Sequence, residues 1–511
     1  MNYYTLPKTN NFVDAIQITT KVLETSDCRH SDRIITSPSL NNVILAKDTD
    51  CRSIYDSTDD TTHISKTLCA YLKTIKKQID NNMDLWDNMK KFTNPYEFIH
   101  TVIPGCKVAT SQLKPLSRSF YKMIEISHTM DLFKDCSRRS VNTFHLAEGP
   151  GGFIEATRHI RNTSLKHELH VQSTIPQPPG LIETNAIEEK LKETYSSDRH
   201  YGMTLINESD TNIPGWGKSK GFLKKNPNVI IEKGVTGTGD LLSTSNLVYY
   251  YENFNNSIDI VTGDGGFDFS IDFNHQELLA SKLLFAQICF ALAIQKDRGH
   301  FVLKVFDLFT RSSIECLYLL SSLYEEVHII KPNTSRLANS EKYIVCKYFQ
   351  RNEKYTQLMS SIIENYPLLT MNRHTSKSDT EMTNNKKGSS PHPTEQNDAN
   401  HSILHHFIPY PIEYYFVNKI EDYNAIFGQQ QIENITTTMS NISSKAKADK
   451  IDNLKKNNIL KCISWCEKHN IPNNNAIIQC SLSSKSHKKH HHHGHGHGHG
   501  HGHSSNNKMK W

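Results

Sequence analysis

From about Asp80 to Gln350, short apolar runs of strand character alternate with longer segments of helical apolar spacing. This alternation constrains the fold more than any other feature. Strands and helices that take turns along a chain pack as an α/β domain, a sheet with helices on its faces. Val141–Ala147 is one such strand; it runs into Glu148-Gly-Pro-Gly-Gly-Phe153 and a helix expected through Ile160. Ile258–Thr262 is a second, ending at Gly263-Asp264-Gly-Gly266. His275–Gln295 predicts a long helix with a strongly apolar face, closed by Gly299, and His300–Phe306 predicts the next strand. Ser312-Ser-Ile-Glu315 has capping-box spacing for a helix reaching about Glu325. Val327–Ile330 and Tyr343–Phe349 are two further runs of strand length, and no internal repeat is visible.

The rest of the 511 residues reads differently. A prior of about 150 residues per domain suggests two to four units. The divisions expected are an N-terminal extension (1–80), the α/β domain (81–350), a helix end and disordered linker (351–402), a helical C-terminal segment (403–481) and a tail (482–511). Only 37% of residues are hydrophobic, below the roughly 45–50% of a typical globular domain, so part of the chain is expected to stay unpacked. Asn372–Asn400 is polar and without apolar periodicity, as a linker would be. Lys485–His503 alternates Gly and His, which leaves no apolar face to bury and predicts a disordered tail without a catalytic role. Its imidazoles would bind transition metals loosely. Cys462, Cys466, His469 and Cys480 lack the paired CxxC spacing of a zinc site. The first two fall one helical turn apart among apolar residues, as core cysteines would.

Several classes are excluded. The longest apolar run, Leu283–Ile294, is interrupted by Gln287 and falls short of the roughly 20 residues of a membrane helix. The mean hydropathy is −0.55. Residues Met1–Lys8 lack the apolar core of a signal peptide, which argues against secretion. Eleven cysteines, several of them in apolar runs, suit a reducing intracellular compartment, with cytoplasm and nucleus not distinguished. A net charge of +5 permits nucleic-acid binding without demanding it.

Four features carry chemistry. The turn Glu148-Gly149-Pro150-Gly151-Gly152-Phe153, between strand and helix, would bring backbone N–H groups close to a ligand, although it is neither GxGxxG nor a Walker loop. Asp240, in Gly237-Thr-Gly-Asp-Leu-Leu, either accepts from an adenine amino group or belongs to a helix start that Ser243 or Asp240 caps. Asp264 follows a buried-type strand and is flanked by glycines, where open α/β sheets bind ligands. Lys304 interrupts the apolar strand His300-Phe-Val-Leu-Lys-Val-Phe306. A lysine there is costly unless paired, and burial beside a second cation makes it a usable base; a snorkelling strand-end lysine is the plain alternative.

Five motifs in order carry a resemblance: Ser117-Arg-Ser-Phe-Tyr-Lys122-Met-Ile-Glu-Ile, Leu146-Ala-Glu-Gly-Pro-Gly-Gly-Phe-Ile-Glu155, Thr262-Gly-Asp264-Gly-Gly-Phe, Gly299-His-Phe-Val-Leu-Lys304-Val-Phe-Asp and Lys331-Pro-Asn-Thr-Ser-Arg-Leu-Ala-Asn-Ser-Glu341-Lys-Tyr-Ile-Val-Cys. Over Trp86–Phe349, roughly half its length, the chain resembles the FtsJ/RrmJ-type ribose 2′-O-methyltransferases, most closely the Adrift-type mRNA cap enzymes of eukaryotes and large DNA viruses. The resemblance implies a Rossmann-like S-adenosylmethionine-dependent sheet with helices on both faces. It implies a catalytic Lys-Asp-Lys-Glu tetrad at Lys122, Asp264, Lys304 and Glu341. It also implies cofactor binding by Glu148, Gly149, Pro150, Gly151, Gly152, Phe153 and Asp240, with Asp264 at the edge of that site. The partner it implies is RNA, capped mRNA above all, with room for other capping or transcription proteins.

Such a tetrad suits its task. A ribose 2′-OH is a poor acid and a methyl sulfonium a strong electrophile, so alignment and proton removal are what the protein must supply. On this reading Lys304 takes or steers the proton, Asp264 and Glu341 hold the two lysines, Lys122 lowers the pKa of Lys304 and contacts ribose or phosphate, and no metal is required. Two features depart from a generic methyltransferase: the loop is not DxGxGxG, and no acid ends the strand near Tyr201-Gly-Met-Thr-Leu205 to hold the cofactor ribose. Trp216–Lys225, with Lys218, Lys220, Lys224, Lys225 and Phe222, could stack on and neutralise RNA or be a charged surface loop. Trp86-Asp-Asn-Met-Lys-Lys-Phe92 reads as a second RNA contact or an amphipathic helix. Two rival functions fit less of the pattern: methylation of internal rRNA or tRNA ribose, and a catalytically silent RNA-binding subunit.

Overall fold

The computed structural model describes residues 3–9, 11–23, 62–174, 183–207, 215–266, 275–370, 401–445 and 447–480. The stretch expected to be a linker, Asn372–Asn400, and the tail from residue 482 lie outside them. The strands are β1 (Tyr3–Thr5), β2 (Thr19–Leu23), β3 (Asn142–Leu146), β4 (Arg199–Met203), β5 (Val229–Glu232), β6 (Ile258–Gly263), β7 (Gln295–Val305), β8 (Tyr324–Ile330), β9 (Lys342–Phe349) and β10 (His401–His406). Eight of them form one sheet in the order β1-β8-β9-β7-β6-β3-β4-β5. From β5 to β7 all neighbours are parallel; β9 is antiparallel to both β7 and β8, and β1 adds antiparallel to β8. The chain steps outward from β3 to β4 and β5, then returns to β6 on the other side of β3. Between β3 and β6 lies the switch point, where such a sheet leaves a crevice at its carboxyl ends.

Side chains alternate between two cores because successive strand residues point to opposite faces. Phe144, Leu146, Val261, Phe301 and Leu303 join one core, covered by helices Thr244–Asn253, Gln276–Ile294, Arg311–Leu323 and Tyr355–Asn365. Ile260, Val302, Tyr343 and Val345 join the other, covered by helices Ser119–Met130, Gly152–Thr174 and Ala448–Lys468. All six residues of β6 are buried, the polar Asp259 among them accepting from Arg139 Nη1 and Asn142 N. Buried polar groups on these strands meet one another, although His200 Nε2 is left without a partner among the described residues. Thr143 Oγ1 lies 2.8 Å from both His145 Nε2 and His200 Nδ1, and His145 Nδ1 lies 2.8 Å from Thr262 Oγ1.

The doubly wound α/β architecture matches the alternation in the sequence, with local differences. Helix Gln276–Ile294 is apolar all round rather than on one face. By length and composition it is long enough to cross a membrane, but 78% of its apolar window is buried inside the fold. Gly299 does not close it: β7 starts at Gln295, and Gly299 lies within that strand, where a Cβ would come within 2.7 Å of Gln295 Nε2. The cap of helix Arg311–Leu323 is Thr310, whose side chain accepts from Ser313 N. Glu315 closes no capping box; its Oε2 instead accepts from Phe407 N and Ile408 N.

The flanking segments join the central unit. β1 extends the main sheet, β2 pairs with β10, and Leu6, Val13, Ile16, Leu404, Phe407, Phe416 and Tyr423 share the core of the central strands. Cys462 and Cys466 are buried beside Trp465 and Ile463 under the opposite face.

At the amino ends of β3 and β4, Arg161 and Asp198 form a buried ion pair. Asp198 accepts from Arg161 Nε at 2.8 Å and from Val141 N at 2.9 Å. The guanidinium also donates to the carbonyls of Cys136 and Arg139 and lies 4.1 Å from the centre of the Tyr195 ring.

Candidate active site

The carboxyl end of β3 makes the first wall of the crevice. Glu148 N donates to Met203 O, which ties the turn to the end of β4. Gly151 takes φ +108°, a conformation strained for any residue with a Cβ. A Cβ on Gly152 would collide with the hydroxyls of Ser117 and Ser119. The turn therefore lies tightly against the start of helix Ser119–Met130. Glu148 is buried; its Oε1 accepts from Phe153 N at 2.6 Å, while its Oε2 has no protein partner. Burial, and then the neighbouring Asp264 carboxylate, hold the Glu148 carboxyl well above the usual range, against the opposing N–H groups of Phe153 and Ile154 and the Lys304 ammonium.

The other wall carries two ammonium–carboxylate pairs. Lys122 comes from helix Ser119–Met130, and its Nζ straddles the Glu341 carboxylate at 2.6 and 2.8 Å. Lys304, near the end of β7, reaches Asp264 Oδ1 at 3.3 Å and donates to the Asp264 carbonyl at 2.6 Å. Asp264 follows β6 directly, and its N–H donates to Leu146 O of β3. The four side chains are 10, 14, 13 and 16% exposed for Lys122, Glu341, Lys304 and Asp264 respectively, so they line a crevice open to solvent rather than a closed core. The pairs share one field. Burial alone would push Glu341 up, but Lys122 and then Lys304, with the Lys122 hydrogen bonds, pull its carboxyl down to about 2. The structure thus brings together Lys122, Asp264, Lys304, Glu341 and Glu148.

Asp240 stands on the β4 side of the crevice. Its Oδ1 accepts from Leu242 N at 2.8 Å, and its loop is tied to the chain leaving β4 by Ile206 N donating to Thr238 O. Ser243, not Asp240, caps helix Thr244–Asn253 by accepting from Asn246 N. Residues 208–214, just past β4, lie outside the described residues. In the Trp216–Lys225 segment, Lys218, Lys220, Lys224 and Lys225 are exposed. The Trp216 ring is turned inward, so close that a Cβ on Gly202 would lie 2.7 Å from it, and Ser219 Oγ donates to the Pro150 carbonyl. Trp86 is buried against Ile75 and Ile435, as on the inner face of an amphipathic helix.

Sequence reasoning missed the residues that aim the tetrad. Tyr343 Oη donates to Asp264 Oδ1 at 3.1 Å. Ser335 Oγ donates to Glu341 Oε1 at 3.0 Å. Lys331 is buried at the end of β8 and donates to Asn339 O, Asn339 Oδ1 and Glu341 O, closing the loop that presents Glu341. Burial, and then Lys342, bring the Lys331 ammonium down to about 7. Glu125, on the Lys122 helix, accepts from Asn333 N and Thr334 N. Glu97 takes both arms of Arg336 at 3.0 and 2.7 Å, with Arg118 at 3.8 Å. Loop 331–341 is thereby pinned to the lysine helix through Glu125 and to the turn Glu97–Ile99 through Arg336. Tyr343, Ser335 and Lys331 lie inside a motif read only for Glu341; Glu97 and Glu125 carry no local signal.

Residues 115–349 match the family described as FtsJ-like methyltransferase. The chain is 30% identical over 302 residues to the zebrafish (Danio rerio) "Cap-specific mRNA (nucleoside-2'-O-)-methyltransferase 2", covering 58% of this chain and 36% of that protein. It is 32% identical over 238 residues to the protein of the same description from Drosophila melanogaster, covering 45% and 29%. Against "Cap-specific mRNA (nucleoside-2'-O-)-methyltransferase 1" of Trypanosoma cruzi it is 34% identical over 202 residues, covering 38% and 54%. The chain thus spans about a third of the length of the first two relatives and about half of the third. With β3, β6, β7 and β9 and the four paired side chains all falling inside the matched span, residues 115–349 constitute an FtsJ-like methyltransferase domain.

Proposed function

We propose that the chain transfers a methyl group from S-adenosylmethionine to a ribose 2′-OH of RNA, at the first or second transcribed nucleotide of capped mRNA. The observation that carries this reading is the meeting of two ammonium–carboxylate pairs at the sheet's switch point. The residues fit the cofactor. A buried oxygen of the Glu148 carboxyl without a hydrogen-bond partner among the described residues is left for a ligand group to meet. The glycine turn at one end and Asp240 at the other suit an elongated molecule with an adenine amino group. When bound, the cofactor supplies an electrophilic methyl on a sulfonium.

The chain's own residues do the rest. Asp264 fixes the Lys304 ammonium through its carboxylate and its carbonyl, so Lys304 Nζ is held where a 2′-OH proton must leave. Glu341 holds Lys122, which places a second positive charge beside the oxygen that becomes anionic as the proton departs. Tyr343 keeps Asp264 oriented. The cap is proposed as the recognition element because the relatives that span this domain are described as cap-specific.

The test uses tritiated S-adenosylmethionine with capped RNAs that differ in 2′-O-methylation at the first two nucleotides, beside uncapped RNA of the same sequence. Label should enter only capped RNA with a free target hydroxyl. Equal labelling of uncapped RNA would move the target to internal ribose. No labelling, together with a blank cofactor titration, would leave an RNA-binding subunit.

A further inference from the structure

Beyond the tetrad, a cavity of about 210 Å3 opens where the loop after β7 meets the start of helix Lys66–Asp80 and β10. A single water needs only about 10–15 Å3, so the cavity has room for something larger. Among the described residues its polar lining consists of Thr62, Thr310 and Ser312 with His63, Lys66, Arg311 and His405, and includes no carboxylate. The cavity is built into the fold. Thr62 and Thr310 form an antiparallel bridge, and His63 N and Ile64 N both donate to Phe309 O. Helix Arg311–Leu323 starts at the cavity and adds the partial positive charge of its N-terminus.

Nearby acids are turned to other tasks. Glu315 accepts from Arg311 Nε at 2.8 Å and from two backbone N–H groups, and Glu421 accepts from Ser65 N at 3.4 Å. Glu277 Oε1 takes Phe309 N, Thr310 N and Thr310 Oγ1. Arg311 and Lys66 act on the imidazoles beside them. Burial, then Arg311 and Lys66, push the His63 imidazole down against Glu421, and burial, then Arg311 and Lys21, do the same to His406.

We propose that this cavity receives a phosphate group of the RNA substrate, away from the nucleotide whose ribose is methylated. Its place supports this. Lys304 and Arg311 are seven residues apart, at most about 25 Å of extended chain, so one strand of RNA reaches both. The inference rests on the RNA-methyltransferase reading and adds a site that the tetrad does not include.

The experiment measures binding of a labelled capped RNA to the full chain across a salt series, for wild type, Lys66→Gln and the double variant His63→Gln/Lys66→Gln. Neither residue belongs to a hydrophobic core cluster, so neither substitution empties the core. Arg311→Gln is a secondary variant because it also releases Glu315. The double variant should bind RNA about tenfold more weakly at low salt, with the salt slope shallower by about 0.7 for each phosphate left without its cation. Its affinity for S-adenosylmethionine should be unchanged, and its methyl transfer should show a raised KM for RNA and a retained kcat. Wild-type RNA affinity and salt slope in the double variant would overturn the assignment. So would unchanged RNA binding with weakened binding of GTP, which would give the cavity to a free nucleotide. Wild-type methyl transfer on the same RNA is followed in parallel; its absence would retire the functional reading, whereas the binding comparison alone decides the cavity.

Discussion

Two ion-pair systems stand at opposite edges of the same sheet. At the amino ends of β3 and β4, Arg161 and Asp198 are 1 and 0% exposed, and the guanidinium meets a carboxylate, two carbonyls and an aromatic face. At the carboxyl ends, the tetrad side chains keep some solvent exposure, and Glu148 keeps an oxygen without a donor. The first arrangement leaves nothing for a ligand to complete. The second uses its hydrogen bonds to aim its charges and leaves valence open. Charge inside a fold therefore marks a site not by its presence but by what remains unsatisfied around it.

Substitutions at the two edges should fail in different ways. Lys304→Ala should lower methyl transfer by about 10²–10⁴-fold while cofactor affinity stays near wild type, the range expected when a side chain positioned at a transferring proton is removed. Single-turnover rates with capped RNA measure this loss of a group positioned at the departing proton, and a wild-type rate would remove Lys304 from the chemistry. Asp198→Asn should act on the fold instead. It leaves the Arg161 guanidinium buried without its counter-charge, at a cost of about 3–5 kcal/mol. Denaturant unfolding reads that loss. If Asp198→Asn melts like wild type while Lys304→Ala unfolds, the contrast between the two edges is reversed.

Acid should separate the site's own carboxylates. The Glu341 carboxyl sits at about 2 in the fold against an ordinary 4.5. A depressed acid stabilises the fold above its unfolded value, by up to about 3 kcal/mol here, and that contribution is lost as pH falls from about 4.5 towards 2. Glu341→Gln should flatten this acid limb. Glu148 has the opposite sign, since its folded value is raised by burial and then Asp264. Its contribution is present below the unfolded value and is lost as pH rises through the folded one. Glu148→Gln should remove that alkaline decline. Thermal melts across pH check both, and parallel shifts in the two variants would count against separate environments.

How far the sequence carries follows from the range of each interaction. Strand positions are legible because burial on both faces writes apolar runs into the chain, as in Tyr343–Cys346. The lysines and acids of the tetrad are legible only through ordered motifs. Lys122 and Glu341 are 219 residues apart and look like ordinary surface charges one at a time. Illegible are the contacts that depend on three-dimensional closure. Glu125 meets Thr334 across 209 residues, and Glu97 meets Arg336 across 239. The cap at Thr310 escapes the sequence because Ser312 and Glu315 carry the right spacing, while Glu315 is drawn off by Phe407 and Ile408, residues about 90 positions away. Local pattern predicts local structure until a distant partner outcompetes it.

The smallest expected effect tests whether the buried frame around the tetrad matters to its chemistry. Tyr343 is fully buried, opposite Lys304 in the β7–β9 register, and its hydroxyl meets the same Asp264 oxygen that faces the Lys304 ammonium. Tyr343→Phe removes that one hydrogen bond and keeps the ring, so the fold loses only about 0.5–1.5 kcal/mol. Asp264 then has one fewer group fixing its rotamer, and Lys304 is aimed less tightly. The rate at saturating RNA should fall about three- to tenfold, in line with that energy, with KM for RNA little changed. A purely structural role would lower stability and leave the rate per folded molecule at the wild-type value. A rate loss near that of Lys304→Ala would instead place the tyrosine hydroxyl among the groups that touch the reacting oxygen.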